Sequence, residues 1–186
     1  MERIGGHPRV LHRRFRKEIK RLPNEYNILG HKVYVMKPDI NEFLLNYDFK
    51  HNYEPKHQLC RLEFPISFHF VDMNKFINIT IKGMRNYPFS PPKISFKNKD
   101  ILQYYHSNLF VKYKKYLKRK KSCCLVCSSV LSSSNWCCIT SFNDIFYEMI
   151  ANIINIKRAT EMFYMEKITS KYVGDEYLMK CFLNYL

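Results

Sequence analysis

The sequence predicts a mixed α/β (α+β) fold: an N-terminal helix, a meander of about four antiparallel strands, and C-terminal helices packed on one face. Three patterns predict it. Leu11, Phe15, Ile19 and Leu22 recur at helical spacing. Leu62–Phe70 and Lys75–Ile81 each alternate in the strand period around Asp72-Met73-Asn74, a hairpin signature. Asn143–Ile156 carries an apolar stripe at 145, 146, 149, 150, 153 and 154, which reads as a helix with one buried face.

The elements follow in order. The first helix places its basic residues opposite the apolar face and stops at Pro23-Asn24. Between Asn27 and His57 the pattern is mixed and is read as a strand and a long loop. In Leu62–Phe70, Phe64, Ile66, Phe68 and Phe70 share a face, and Pro65 requires an edge or a bulge. Tyr87-Pro88-Phe89-Ser90-Pro91-Pro92 has too many prolines for a helix or a central strand, so it is an extended, rigid crossing. A proline pair can also hold a cis bond. Ile94 and Phe96 then open a third strand. Thr160–Leu186 is expected to be helical in two pieces around Gly174.

Length and composition set limits. A chain of 186 residues, 46% hydrophobic and 16% aromatic, can bury a sizeable core, and one domain over 1–186 is expected. No apolar run spans a membrane, and the N-terminus lacks the apolar core of a secretory signal. Thirty-one basic residues against 16 acidic give a net charge of +15, which favours anionic partners. The excess gathers at 9–21 and at 112–121. An odd count of 7 cysteines argues against a disulfide framework and for reduced thiols in the cytoplasm, the nucleus or both. Cys124, Cys127, Cys137 and Cys138 could supply thiolates to zinc in number. However, adjacent cysteines rarely bind one ion and no second C-x-x-C follows, so no metal is expected. Tyr113, Tyr116 and the lysines between them could stack bases and meet phosphates, yet no nucleic-acid motif accompanies them. Nucleic acid is therefore the less favoured partner.

The Tyr87–Pro92 crossing into Ile94 and Phe96 is similar to the Y-P-x-x-P-P crossing of the ubiquitin-conjugating enzyme family. His106-Ser107-Asn108 resembles that family's H-P-N motif, with Ser for Pro. Val126-Cys127-Ser128-Ser129-Val130-Leu131 resembles its catalytic (I/V)-C-x-x-(I/V)-L strand, and Trp136 falls near its tryptophan. The resemblance covers roughly residues 8 to 155. Asn143–Tyr147 and Tyr172–Cys181 are similar to the neddylation conjugating enzymes.

The resemblance implies a transferase that carries ubiquitin or a ubiquitin-like protein as a thioester on Cys127 and passes it to a lysine. Asn108 would stabilise the oxyanion. Cys124 is the alternative nucleophile. His106, Tyr87, Pro91, Pro92 and Trp136 would support the active-site loop. Arg13, Arg14 and Lys17 would meet the activating enzyme, and Phe89 with the loop before Trp136 would meet a ligase. No cofactor, metal or membrane is expected, and ATP is consumed by the activating enzyme. Against the family pattern, the Asn108–Cys127 separation is long, which makes 109–123 a basic loop insertion. The acidic loop after the buried helix is missing, which leaves 157–186 divergent. An inactive family variant acting as a ubiquitin-pathway binding module is the alternative.

Overall fold

The computed structural model describes residues 8–39, 62–83, 87–105, 116 and 125–172. Chain contacts group into two compact units. One is Met1–His106 with Cys123–Ile150, and the other is Ser107–Ser122 with Ala151–Leu186. The expected insertion at 109–123 and the C-terminal region at 157–186 fall almost wholly in the second unit.

The first unit begins with α1 (Pro8–Arg21). Proline at its first position costs no hydrogen bond, because that N–H would have no intrahelical partner. Phe15, Ile19 and Leu22 are buried, as their spacing predicts. The chain then lays down β1 (Glu25–Ile28), β2 (His31–Met36), β3 (Leu62–Phe70), β4 (Lys75–Gly83), β5 (Lys93–Phe96) and β6 (Lys99–Asp100). These pair in sequence order as one antiparallel six-stranded sheet. The expected antiparallel meander is present, with six strands rather than four.

The two additional strands come from tight hairpins. Leu29 and Gly30 connect β1 to β2, and Lys97 and Asn98 connect β5 to β6. All four have positive φ, at 53°, 79°, 48° and 62°. Two-residue loops of this hand match the right-handed twist of the strands they join. Leu29 and Lys97 are unusual there, so the turns carry little composition signal. The β3–β4 hairpin closes as expected, through a single 3₁₀ turn at Val71–Met73 and Asn74 in the left-handed region. Asparagine tolerates that conformation.

Pro65 lies on β3 where it needs no second partner strand. The pairing of β2 with β3 ends at Met36 opposite Ser67, so Pro65 pairs only with Thr80 of β4. The edge position that the proline requires is met locally.

The inner face of the sheet carries Val33, Val35, Phe64, Ile66, Phe68, Phe70, Ile79, Ile81 and Ile94, all buried. It meets α1 through Phe15–Phe64, with ring centroids 6.4 Å apart. It meets α4 (Phe142–Tyr172) through an edge-on Phe68–Phe146 pair at 5.2 Å. Each fully buried phenylalanine contributes about 2–3 kcal/mol by leaving water. The outer face holds a solvent-facing aromatic row across three strands, Tyr34, His69 and Phe76, with the last two stacked at 4.3 Å.

Two short helices follow the sheet, α2 (Ile101–Tyr105) and α3 (Leu125–Ser128). The expected strand through Val126–Leu131 is not formed: residues 125–128 are helical and turns follow. Serine hydroxyls explain this by bonding backbone locally. Ser128 Oγ donates to Leu125 O at 3.4 Å, and Ser129 Oγ accepts from Leu131 N at 3.1 Å.

The helix expected at 143–156 is the first part of the longer α4. Ile145, Phe146, Met149, Ile150 and Ile154 of its predicted stripe are buried. Its start is a capping box. Ser141 Oγ accepts from Asp144 N at 3.2 Å, and Asp144 Oδ2 accepts from Ser141 N at 2.9 Å. The first of the two expected C-terminal pieces is continuous with α4, and Gly174 lies outside the described residues.

In the second unit, Tyr116 packs edge-on against Phe163 with centroids 6.1 Å apart and donates a hydrogen bond to Glu166. Thr160 and Thr169 donate to the carbonyls of Ile156 and Met165, at 2.8 and 2.7 Å. Among the described residues no helix is long and apolar enough to cross a membrane.

The β1–β2 turn generates a prediction. Leucine at positive φ costs roughly 1–2 kcal/mol that asparagine largely avoids. Leu29→Asn, which also creates an Asn-Gly turn, should raise unfolding free energy by about 1 kcal/mol in urea titrations. A loss of stability would contradict the turn geometry.

Candidate functional site

The proline crossing is the first part of the site. The Tyr87–Pro88 peptide is cis, rather than a bond within the Pro91-Pro92 pair. Tyr87 is 3% exposed and meets three rings: Phe15 at 6.4 Å, Trp136 at 6.3 Å and Phe142 at 5.8 Å. Pro92 is buried and Pro91 half-buried, so both brace the entry to β5. Trp136 Nε1 donates to the Pro88 carbonyl at 2.8 Å. That bond ties the crossing to the loop that leads into α4. Tyr87, Pro91, Pro92 and Trp136, expected as loop support, thus lie in one connected region of the first unit.

The loop itself is held at nearly every residue. Glu148 of α4 accepts the Val130 amide at 2.8 Å. Ser129 is fully buried, and its carbonyl accepts from Ser132 N at 3.0 Å and Asn135 Nδ2 at 3.1 Å. The Ser132 carbonyl accepts the amides of Asn135 and Trp136, each at 2.9 Å. Sequence reasoning missed Glu148, Ser129 and Asn135. Only the serine-rich composition of 128–134 marked this stretch.

Cys127 lies on α3, directly before this fixed loop. Asp100 Oδ1 accepts the Leu102 amide at 2.8 Å and so caps α2. Tyr105, the last residue of α2, is buried, and α2 packs alongside α3. The chain segment that ends just before His106 therefore lies against the segment that carries Cys127. His106, Asn108 and Cys124 themselves lie outside the described residues.

Of the three residues expected to face an activating enzyme, Arg13 and Lys17 are exposed. Arg14 is turned inward, with its side chain 29% exposed. It lies 3.6 Å from Glu18, donates to the Thr140 carbonyl at 3.5 Å, and stands over the Tyr87 ring at 5.7 Å. Glu18 accepts the Phe142 amide at 3.1 Å, at the start of α4. A carboxylate there meets both a partnerless helix N–H and the positive end of the helix dipole. Arg14 and Glu18 therefore join α1 to α4.

The Arg14 Nε and the Tyr87 hydroxyl are both buried and meet no hydrogen-bond partner at bonding geometry. Burial, and then the charge of Glu18, push the Tyr87 phenol up to about 12, with Arg14 opposing. Burial, and then Asp144, also hold Tyr26 well above the ordinary tyrosine value, and its hydroxyl donates to Asn143 Oδ1 at 2.9 Å.

The exposed side of this region is apolar and thiol-bearing. Phe89 is 77% exposed and Ile139 is 81% exposed, on the two loops that the Trp136–Pro88 bond joins. Cys137 and Cys138 are exposed free thiols between them in the chain. Among the described residues no group of three or more potential ligands could hold a metal ion. No protein-family model matches the chain, and neither a curated protein nor a solved structure matches it.

Tyr87 supplies a pH prediction. Its raised folded pKa favours the neutral phenol, so this contribution to stability is present below the ordinary value near 10 and is lost as pH rises toward about 12. Tyr87→Phe should be neutral or stabilising by about 1 kcal/mol near neutral pH, because the hydroxyl has no partner. Urea titrations on either side of pH about 10 should show a shallower alkaline fall in the variant than in the wild type. Equal falls would contradict the burial of the hydroxyl.

Proposed function

We propose that the chain is a divergent ubiquitin-conjugating-type transferase that carries ubiquitin or a ubiquitin-like protein as a thioester on Cys127. The observation that carries this reading is the packing of α2 alongside α3. It sets the segment that ends at Tyr105 against the helix of Cys127, and His106-Ser107-Asn108 follows that segment directly in sequence, although 19 positions separate Asn108 from Cys127. The intervening Ser107–Ser122 groups with the other unit, and the chain re-enters the first unit at Cys123.

Two further features support the reading. The cis-proline crossing and Trp136 are joined by a hydrogen bond behind the loop that follows Cys127. The adjoining loops expose Phe89 and Ile139, which suit a ligase contact. Arg13 and Lys17 remain exposed for the activating enzyme, whereas Arg14 serves the interior.

In the proposed reaction the Cys127 thiolate attacks the carbonyl carbon of the modifier's thioester on the activating enzyme. A new S–C bond forms as the activating enzyme's thiolate leaves. A substrate lysine amine then attacks the same carbon, Asn108 donates to the oxyanion, the attacking nitrogen releases its proton to solvent, and the Cys127 thiolate departs as the isopeptide forms. The reaction needs no cofactor or metal. The cargo is ubiquitin or a ubiquitin-like protein, with a Nedd-type modifier suggested by the resemblance of Asn143–Tyr147 and Tyr172–Cys181, and the cytoplasm or nucleus is the favoured site.

One observation favours the second reading, a conjugating-enzyme-like chain that only binds. The unbroken α4 stands where the family places an acidic, proline-containing loop that orients the incoming lysine.

A thioester charging assay decides between them. Wild type, Cys127→Ser and Cys124→Ser are incubated with activating enzyme, ATP and either ubiquitin or the Nedd-type modifier. A reductant-sensitive adduct, absent only from Cys127→Ser, is expected. Loss only in Cys124→Ser would move the nucleophile, and no adduct with any pair would favour the binding module.

A further inference from the structure

The outward face of α1 has a composition that the transferase reading does not use in full. With α-helical geometry, Arg13, Arg16, Lys17, Lys20 and Arg21 fall within about 140° of the helix circumference, and Arg13 to Arg21 spans ~12 Å of its axis. All five are exposed. Phe15, Ile19 and Leu22 point the other way and are buried. Glu18 is the one carboxylate of the helix, and it is drawn inward by Arg14 and the Phe142 amide. Among the described residues no carboxylate pairs with Arg13, Lys17, Lys20 or Arg21.

We propose that this face of α1 binds the phosphate backbone of nucleic acid, without reading its sequence. Charge alone would admit three partners, and the residues separate them. A membrane-surface helix needs an apolar face to enter the lipid boundary, and here the apolar face is spent on the core. The centre of a protein interface needs apolar or aromatic anchors, and from Arg13 to Arg21 the outward arc has none, so an activating enzyme would meet Arg13 and Lys17 only as the polar rim of its contact. A phosphate backbone needs only a row of cations, each releasing a condensed counterion. No aromatic side chain accompanies the row between Arg13 and Arg21 on that arc, so bases are not stacked there. The proposal does not depend on the chemistry of Cys127. It does imply that nucleic acid and an activating enzyme would compete for Arg13 and Lys17.

The test is fluorescence anisotropy of labelled duplex DNA and single-stranded RNA with the full chain, at rising salt. Four phosphate contacts predict an affinity loss of roughly 50- to 150-fold between about 50 and about 200 mM salt, similar for unrelated sequences. In Arg13→Gln/Lys17→Gln/Lys20→Gln/Arg21→Gln, binding at low salt should weaken at least about tenfold, and the log–log salt slope should flatten by about three. The four side chains are exposed, so the thermal unfolding midpoint should not move. A second variant neutralises Lys112, Lys114, Lys115 and Lys118, and it should keep the contribution of α1. Unchanged binding in the helix variant, no binding at low salt, or equal competition by polyglutamate or by anionic vesicles would overturn the proposal.

Discussion

Phe15 is the side chain on which the first unit converges. Its ring meets Phe64 of the sheet, Tyr87 of the proline crossing and Phe142 at the start of α4, with centroids 6.4, 6.4 and 5.0 Å apart. All three contacts are edge-on, the arrangement that aromatic quadrupoles favour. One residue of α1 therefore fixes the sheet, the crossing and α4 at a common point. Because interiors are close-packed, a change of shape there is passed on rather than absorbed.

The polar bonds around this point extend it toward the candidate site. Glu18 and Arg14 fasten α1 to the start of α4 and to the Thr140 carbonyl. Trp136, five residues before Ser141 in the chain, reaches back to the Pro88 carbonyl. Glu148, further along α4, holds the Val130 amide. Cys127 enters this arrangement from α3, so the proposed nucleophile stands at the edge of a loop whose backbone groups are mostly satisfied. Satisfied backbone means that the loop has little to gain by rearranging. A site that holds an acyl group needs that kind of fixed frame.

Much of this was legible in the sequence, for identifiable reasons. The faces of α1, β3, β4 and α4 follow from period alone, because each buries a single face. The crossing follows from proline's fixed φ and missing donor. The β1–β2 hairpin was not legible, because its turn is Leu29-Gly30 rather than Asn-Gly and each strand is short. The two-residue β6 left no pattern to detect. No Gly or Pro separates Asn143–Ile156 from Thr160, and α4 is continuous there. The helical turn at Leu125–Ser128 reflects serine hydroxyls bonding locally, an effect that alternation does not report. Arg14 read as a surface cation because sequence gives charge but not the direction of a side chain. Its inward turn depends on Glu18, Thr140 and Tyr87, which only the fold assembles.

The central claim is that the packing of Phe15 holds the loop after Cys127. Hydrogen exchange of the Val130, Leu131, Ser132, Asn135 and Trp136 amides, in wild type and Phe15→Leu, tests it most directly. These amides should exchange at least about tenfold faster in the variant, with a smaller change in β3 and β4. Equal acceleration throughout the first unit, or an unchanged loop, would contradict it.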